Sequence, residues 1–568
     1  MIPNISGIVN RKFAQTRALR RFLSFPGREK CHETDLRAAW FFGKIWRIEQ
    51  CRTMRGKDMA MNLRKIAIAA AVAGASASAG AGMDVVPRPL KIAETDGTFS
   101  AQGPLADAVR YSDDATVPAE GYRLSVAKDG ISVAASGAAG RRYALETLKQ
   151  LAKDEGGTAT VPCVEIEDAP RYPWRGVHLD ECRHFFGKET VKKLLDLMVR
   201  YKLNRFHWHL TDDQGWRLDV PGYPDLVKYG AVRPQSVRRG EKAHAGDVED
   251  ADKFDGTPYG PYFYTEADLR EIVAYAAERG IDVIPEIELP GHVFAALAAY
   301  PSFACHPENL AARSPRISYG IARDVLCIGN DDAVKFMEDV LDWVCGVFPF
   351  NVVHIGGDEC PQVAWTTCPK CQARIEAENL GGVGGLQPWI TRRFVAFLEK
   401  RGKRALGWDE YLLGDIPASA MGMSWRESRS GAGHDLVSGA AAAVRGHDVV
   451  MTPCSYCYLD YWQGLDSDTH TYIGRYNLSM ARCYSFDPCA GVPEEARAHI
   501  LGGQGNNWTE YTLGPDELEW KIWPRMMALA EVFWLGEAKP GFDDFKRRAA
   551  VQREWLLKAG VNCAPIED

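Results

Sequence analysis

Past Pro173 the chain settles into a rhythm of short apolar runs of strand length separated by amphipathic stretches of helical length. The runs fall at 176–179, 205–210, 281–287, 352–355, 405–408, 421–425, 449–452 and 502–508. Between them, 189–201 sets Val191, Leu194, Leu195 and Met198 on one helical face, and 267–279 follows Thr265, a residue suited to capping a helix. Eight strands alternating with helices over about 360 residues predict a (β/α)8 TIM barrel in the α/β class, with a doubly wound sheet as the other fold of the same rhythm. Upstream, 122–126 and 131–134 alternate like strands, 142–153 reads as a helix, and Pro170 and Pro173 mark a linker. The chain therefore divides into a small α/β domain over 83–169, a barrel over 170–538 and a closing helix within 539–568. A polar, Gly/Pro-rich loop at 233–261 follows the second strand, on the side where barrels build active-site rims.

Composition narrows the class. At 568 residues, 46% hydrophobic and 25% charged, with 53 Gly and 31 Pro, the chain is neither collagen-like, disordered nor a multi-span membrane protein. Its net charge of −7 gives no general attraction to nucleic acid. A basic stretch over 1–58 precedes a segment, 59–82, in which Leu63-Arg64-Lys65 leads into small apolar residues with A-x-A sites near Ala75, Ala77 and Ala79. That is the pattern of a secretory signal peptide, too short and small-residued for an anchor, and its distance from residue 1 is most simply explained by translation starting at Met59 or Met61. The expectation is export to the periplasm or the exterior. Without the 15 basic and 5 acidic residues of 1–82 the remainder carries 53 basic and 70 acidic side chains, a net of −17. Fifteen cysteines fit an oxidising compartment. Cys305 and Cys327 flank a polar loop and are expected to pair, while Cys360, Cys368 and Cys371 favour a disulfide or buried thiols over zinc, which needs four ligands.

Barrel enzymes carry their chemistry at the carboxyl ends of the strands. Here those ends read Asp180, His207-Trp208-His209-Leu210-Thr211-Asp212-Asp213, Pro285-Glu286-Ile287-Glu288 running on to His292, and His354-Ile355-Gly356-Gly357-Asp358-Glu359. Later ends read Trp408-Asp409-Glu410, Trp425-Arg426-Glu427 and Trp508-Thr509-Glu510. Carboxylates beside tryptophans suit sugar hydrolysis, which needs an acid for the leaving oxygen and aromatic faces for a pyranose. Neighbouring side chains on an extended strand point apart, so Asp358 and Glu359 are poorly placed to act as acid and nucleophile on one bond. An ionised Asp358 is expected to raise the pKa of Glu359.

The run His354 to Glu359 resembles the signature of glycoside hydrolase family 20, the β-N-acetylhexosaminidases. The resemblance extends from Val86-Pro87-Arg88-Pro89 through Trp174-Arg175-Gly176, the 207–213 run and Pro285-Glu286-Ile287 to Trp508-Thr509-Glu510. It implies an exo-acting enzyme that removes terminal β-linked GlcNAc or GalNAc with retention, the substrate's acetamido oxygen serving as nucleophile, and it requires no metal or other cofactor. By matching positions, Glu359 would be the general acid and base, and Asp358 would orient the acetamido group, whose oxygen Tyr458 would bind. Trp408, Trp425 and Trp508 would enclose the sugar, Arg175, Asp460 and Glu510 would hold its hydroxyls, and Asp212 and His292 would tune Glu359.

Other readings remain at this stage. His207 and His209 read as packed barrel residues, Asp180 and His354 as pocket supports, and Glu410 and Glu427 have no role. A metal site drawn from His207, His209, Asp212, His292 and Asp358 is the rival chemistry. A lacto-N-biosidase of the same family, or a non-catalytic glycan-binding barrel, are the rival functions. The partner expected in every case is a glycan, with neither nucleic acid nor a membrane span.

Overall fold

The computed structural model describes residues 83–155, 157–426, 438–465, 468–473 and 477–566. The expected basic extension, the signal peptide and Glu427 lie outside the described residues. Strands β1 (Lys91–Gln102), β2 (Val109–Asp113), β3 (Tyr122–Ala127), β4 (Gly130–Ala135), β5 (Lys153–Glu155) and β6 (Thr158–Asp168) form a sheet in the order β1-β6-β3-β4-β2, with β5 on β6. Helix α1 (Ala138–Leu151) packs Tyr143, Ala144, Leu148 and Leu151 onto the face of that sheet built from Tyr122, Leu124, Val126, Ile131 and Val133. β1 and β2 are mostly exposed and add little to the core, so hydrophobic patterning does not reveal them, whereas β6 buries Val161, Val164 and Ile166 beside β3.

The barrel strands are β7 (Trp174–Asp180), β8 (Arg205–His209), β11 (Asp282–Glu286), β12 (Val352–His354), β13 (Arg404–Trp408), β14 (Met421–Ser424), β15 (Val449–Met451) and β16 (Ile500–Asn507), with the hairpin β9 (Thr211–Asp212) and β10 (Gly215–Trp216) between β8 and β11. All eight pair in parallel, and β16 closes on β7 with Gly502 opposite Trp174, which excludes the doubly wound sheet. Helices α2 (Lys188–Arg200), α3 (Glu266–Glu278), α4 (Asp331–Val347), α5 (Pro369–Ala377), α6 (Leu386–Glu399), α7 (Gly439–Val444), α8 (Arg525–Leu535) and α9 (Phe542–Lys558) follow in order. The amphipathic reading of α2 holds, with Val191, Leu194, Leu195 and Met198 all buried. Thr265 caps α3 reciprocally with Asp268, its hydroxyl accepting from Asp268 N–H and the Asp268 carboxylate accepting from Thr265 N–H. None of the helices among the described residues is long and apolar enough to cross a membrane.

The small domain meets the amino-terminal end of the barrel through buried charge. Lys202 is fully buried and donates to Asp168 at 2.9 Å and to the Tyr122 hydroxyl at 3.1 Å, while Trp534 Nε1 donates to the other Asp168 oxygen at 2.8 Å. Arg175, expected to bind sugar, belongs to this junction instead. Its guanidinium donates to the carbonyls of Lys202 and Tyr172 and to Glu120 and the Tyr143 hydroxyl, all within 2.9 Å, and packs beside both the Tyr143 and Trp534 rings. The physical reason is position: Arg175 is the second residue of β7, at the end of the barrel opposite the strand termini where catalysis sits. Arg548 of α9 also grips Glu531 with two 2.7 Å bonds and donates to the Val85 carbonyl, tying the segment before β1 to α8 and α9.

The 13 cysteines among the described residues form no disulfide. The expected Cys305–Cys327 bridge is absent because Cys327 Sγ faces Cys368 at 3.6 Å and Cys371 at 3.8 Å, while Cys305 Sγ faces Cys371 at 3.7 Å. Cys360 stands apart from this group, packed against Gly291.

Arg175→Met leaves Glu120 and two carbonyls without their donor and is expected to cost about 3 kcal/mol of stability. Thermal melting should detect that loss. In the folded fraction, KM for a glycoside should stay at the parental value, whereas a sugar-binding arginine would raise it.

Candidate active site

The turn after β12 is the local feature on which the site depends. Gly356 and Gly357 have φ of 60° and 97°, where a Cβ would strike the Glu288 carboxylate at 1.9 Å and Tyr411 Cβ at 2.6 Å respectively. Glu359 is itself left-handed at 45°. The chain here is a turn rather than an extended strand, so the side chains of Asp358 and Glu359 do not diverge as expected. Both reach His292, whose Nε2 lies 3.8 Å from Asp358 Oδ2 and 3.7 Å from Glu359 Oε2. His292 is the other left-handed non-glycine at the site, with φ of 47°. Such backbone costs of order 1–3 kcal/mol per residue and persists only where surrounding contacts enforce it.

These residues open into a cavity of about 210 Å³ at the carboxyl ends of the strands. Of the residues expected there, His292, Asp358, Glu359, Trp408, Trp425, Tyr458, Asp460, Trp508 and Glu510 line it. Asp212 sits behind, with its Oδ1 3.5 Å from His292 Nδ1. Trp408 and Trp508 have ring centroids 5.7 Å apart, and Trp425 stacks with Tyr458 at 17° between planes, so aromatic faces converge on one space. Opposite them the wall is acidic. Among the described residues, neither oxygen of Asp460, nor Asp358 Oδ1 or Glu510 Oε2, has a protein donor despite being buried.

Sequence reasoning missed Arg183. It follows β7 closely, donating to Asp180 at 3.1 Å, Asp212 at 2.9 Å and Gln214 at 2.8 Å, with Glu510 at 3.8 Å and the Trp508 ring 5.1 Å away. Its place three residues beyond the strand's carboxyl end was the available signal. Glu410 acquires a role as well: it accepts from Glu359 N–H at 3.4 Å, from Trp425 Nε1 at 3.1 Å and from Arg426, and so braces the turn. Beneath the cavity Trp408 Nε1 donates to Glu286 at 2.7 Å, and His207, His209 and His354 all lie within 3.1 Å of that same carboxylate. The histidines read as packing are thus a buried polar layer that supports the floor.

Charge at the site follows from burial and pairing. For His292, burial opposes protonation, but the charge and hydrogen bond of Asp212, with Asp213 and Glu359, prevail and raise its pKa well above the ordinary value. For Glu359, burial pushes upward, yet the hydrogen bond and charge of His292, aided by Arg426 and Arg183, leave the carboxyl below its usual range. Asp358 is pushed up to about 7 by burial, against the pull of His292 and with help from Glu410 and Glu359. The expected order is therefore reversed: Asp358 is the carboxyl pushed up, and Glu359, more exposed and facing the same imidazole, is the one held down.

A match to the glycosyl hydrolase family 20 catalytic domain covers residues 172–537, and a match to domain 2 of the same family covers 89–169. The chain belongs to glycosyl hydrolase family 20. The resemblance carried by the motifs is thereby borne out, as are the barrel and the small domain before it. A β-hexosaminidase of Porphyromonas gingivalis is 40% identical over 456 residues, 78% of this chain and 55% of that one. A β-hexosaminidase of Akkermansia muciniphila is 35% identical over 78% of this chain and 85% of its own length. Thus the chain spans only about half of the first relative but most of the second. Among solved structures, a family 20 exo β-N-acetylglucosaminidase from Vibrio harveyi in complex with N-acetylglucosamine superposes with a TM-score of 0.73 at 29% identity, covering 86% of this chain and 79% of that one.

Asp460 gives a test of the acidic wall. Burial, then the charge of Glu510, pushes its pKa from 3.8 up to about 8. Folding therefore takes up a proton between those values, and the native state loses stability as pH rises through them. Asp460→Asn removes this cost, so its melting temperature relative to the parent should climb between pH 4 and pH 8. A difference independent of pH would show that the carboxyl is not desolvated.

Proposed function

We propose that the protein is an exo-acting β-N-acetylhexosaminidase that removes terminal, non-reducing β-linked GlcNAc or GalNAc from oligosaccharides and glycoconjugates with retention. One observation carries the reading: aromatic faces and buried carboxylate oxygens without protein donors share a cavity of about 210 Å³. Such a wall calls for a neutral ligand rich in hydroxyl and amide donors and with apolar ring faces, and the volume is below the roughly 300 Å³ at which drug-sized pockets begin. The names of the Porphyromonas and Akkermansia relatives, and the N-acetylglucosamine in the Vibrio structure, support the same substrate class.

In this reading the glycosidic C1–O bond breaks as the leaving oxygen takes a proton from Glu359 and the acetamido oxygen bonds to C1 on the opposite face. The resulting oxazolinium ion is opened by water, whose proton returns to Glu359. Glu359, ionised at rest beside protonated His292, first takes its proton from that imidazole, and the proton that water returns to Glu359 passes back to His292. Asp358 faces the acetamido nitrogen, where positive charge develops, and Tyr458 donates to its oxygen. Asp460 and Glu510 accept from the ring hydroxyls, and Arg183 takes the hydroxyl-binding part first expected of Arg175. The signal-peptide pattern at 59–82 supports export to the periplasm or exterior.

Glu359→Gln keeps the shape of the acid but removes its proton, and should lower kcat on an aryl β-N-acetylglucosaminide by about 10²–10⁴-fold. A thiazoline mimic of the oxazolinium ion should inhibit the parent strongly, and NMR should find the β-anomer as first product. An active enzyme indifferent to the thiazoline, or releasing the α-anomer, excludes the mechanism.

A further inference from the structure

Two loops outside the cavity bring four thiols together. Cys305 and Cys327 lie in the segment between β11 and α4, which also carries His292, while Cys368 and Cys371 lie between β12 and α6, in the segment that also carries Asp358 and Glu359. The sulfur atoms all lie within 4.8 Å of one another, with separations of 3.6, 3.7 and 3.8 Å for Cys327–Cys368, Cys305–Cys371 and Cys327–Cys371. A disulfide requires about 2.05 Å. Four sulfurs at 2.3 Å from a tetrahedral zinc are separated by about 3.8 Å, the spacing found here.

We infer that Cys305, Cys327, Cys368 and Cys371 are the ligands of a structural zinc ion.

The surroundings fit that ion. Cys327, Cys368 and Cys371 are buried and Cys305 is partly so, which closes the site to a fifth ligand, as structural rather than catalytic zinc requires. Soft thiolates in a tetrahedral set favour zinc or iron among common metals. Cys368-Pro369-Lys370-Cys371 has the two-residue spacing of a zinc knuckle and opens α5, with Cys368 as its cap and proline at its first position. Gly329 presses on this turn so closely that a Cβ would lie 2.1 Å from the Lys370 carbonyl carbon, and its N–H bonds Cys371. Loading is a ligand exchange without redox change: Zn²⁺ and four thiols give a tetrathiolate of charge −2 and four protons released to solvent.

Such an ion would pin the His292 segment to the Glu359 segment. Protein bonds already cross this seam from Trp365 Nε1 to the Leu326 carbonyl at 2.9 Å and between His306 Nε2 and the Thr367 hydroxyl at 3.0 Å.

Elemental analysis of the full chain, purified without added metal and passed through EDTA-containing buffer, should find about one zinc per chain. X-ray absorption should find four sulfur neighbours at about 2.3 Å. Cys368→Ser with Cys371→Ser should abolish retention of the ion, and Cys163→Ser, remote from the cluster, should keep it. The wild-type measurements stand even if the double variant fails to fold. Metal-free protein overturns the assignment, whether its four thiols are found alkylatable or joined as two disulfides by intact mass. Stoichiometric iron in place of zinc overturns it as well.

Discussion

The site is organised around the Arg183 guanidinium. Carboxylates from three places, Asp180 at the end of β7, Asp212 in the hairpin after β8 and Glu510 after β16, point at one small volume from which water is largely excluded. Left alone, these charges would repel one another or take up protons. A planar cation with five donors can pair with several of them at once, where a lysine could serve fewer. With Arg183 fixed, Asp212 stays ionised, its pKa well below normal because the charges of Arg183 and His292 outweigh burial. That anion keeps His292 protonated, and His292 in turn keeps Glu359 ionised. Charge is thereby handed across the mouth of the barrel in alternating sign, from β7 to the turn after β12.

The same logic explains which carboxylates are left wanting. Asp358, Asp460 and Glu510 are buried farther from a full share of positive charge, and their pKa values rise. Each has at least one oxygen without a protein donor among the described residues. A site that satisfied every acceptor internally would be more stable and would have nothing to offer a ligand.

How much of this the sequence discloses depends on the physics behind each signal. Periodicity marks all eight barrel strands because a strand buried on both faces must be apolar throughout. It misses β1 and β2, whose residues are mostly exposed. The strand-end rule finds the acids and tryptophans, yet Arg175 and Arg183 sit eight residues apart at opposite ends of the same strand region. Only their position relative to β7 separates a domain-junction residue from a pocket residue. Adjacent Asp358 and Glu359 mislead for a related reason: the two preceding glycines convert an apparent strand into a turn, and alternation no longer applies. The cysteines are legible in number but not in pairing, since Cys305 and Cys327 meet Cys368 and Cys371 only when β11 and β12 lie side by side.

The floor beneath Trp408, where Glu286 and its histidines fill the barrel, closes the cavity at its base. For the exo-acting enzyme proposed above, a polymer would insert only a terminus into such a cup. The velocity on a long glycan would then be set by the number of free ends in solution and not by its mass. Any group that caps those ends would protect the whole chain behind it.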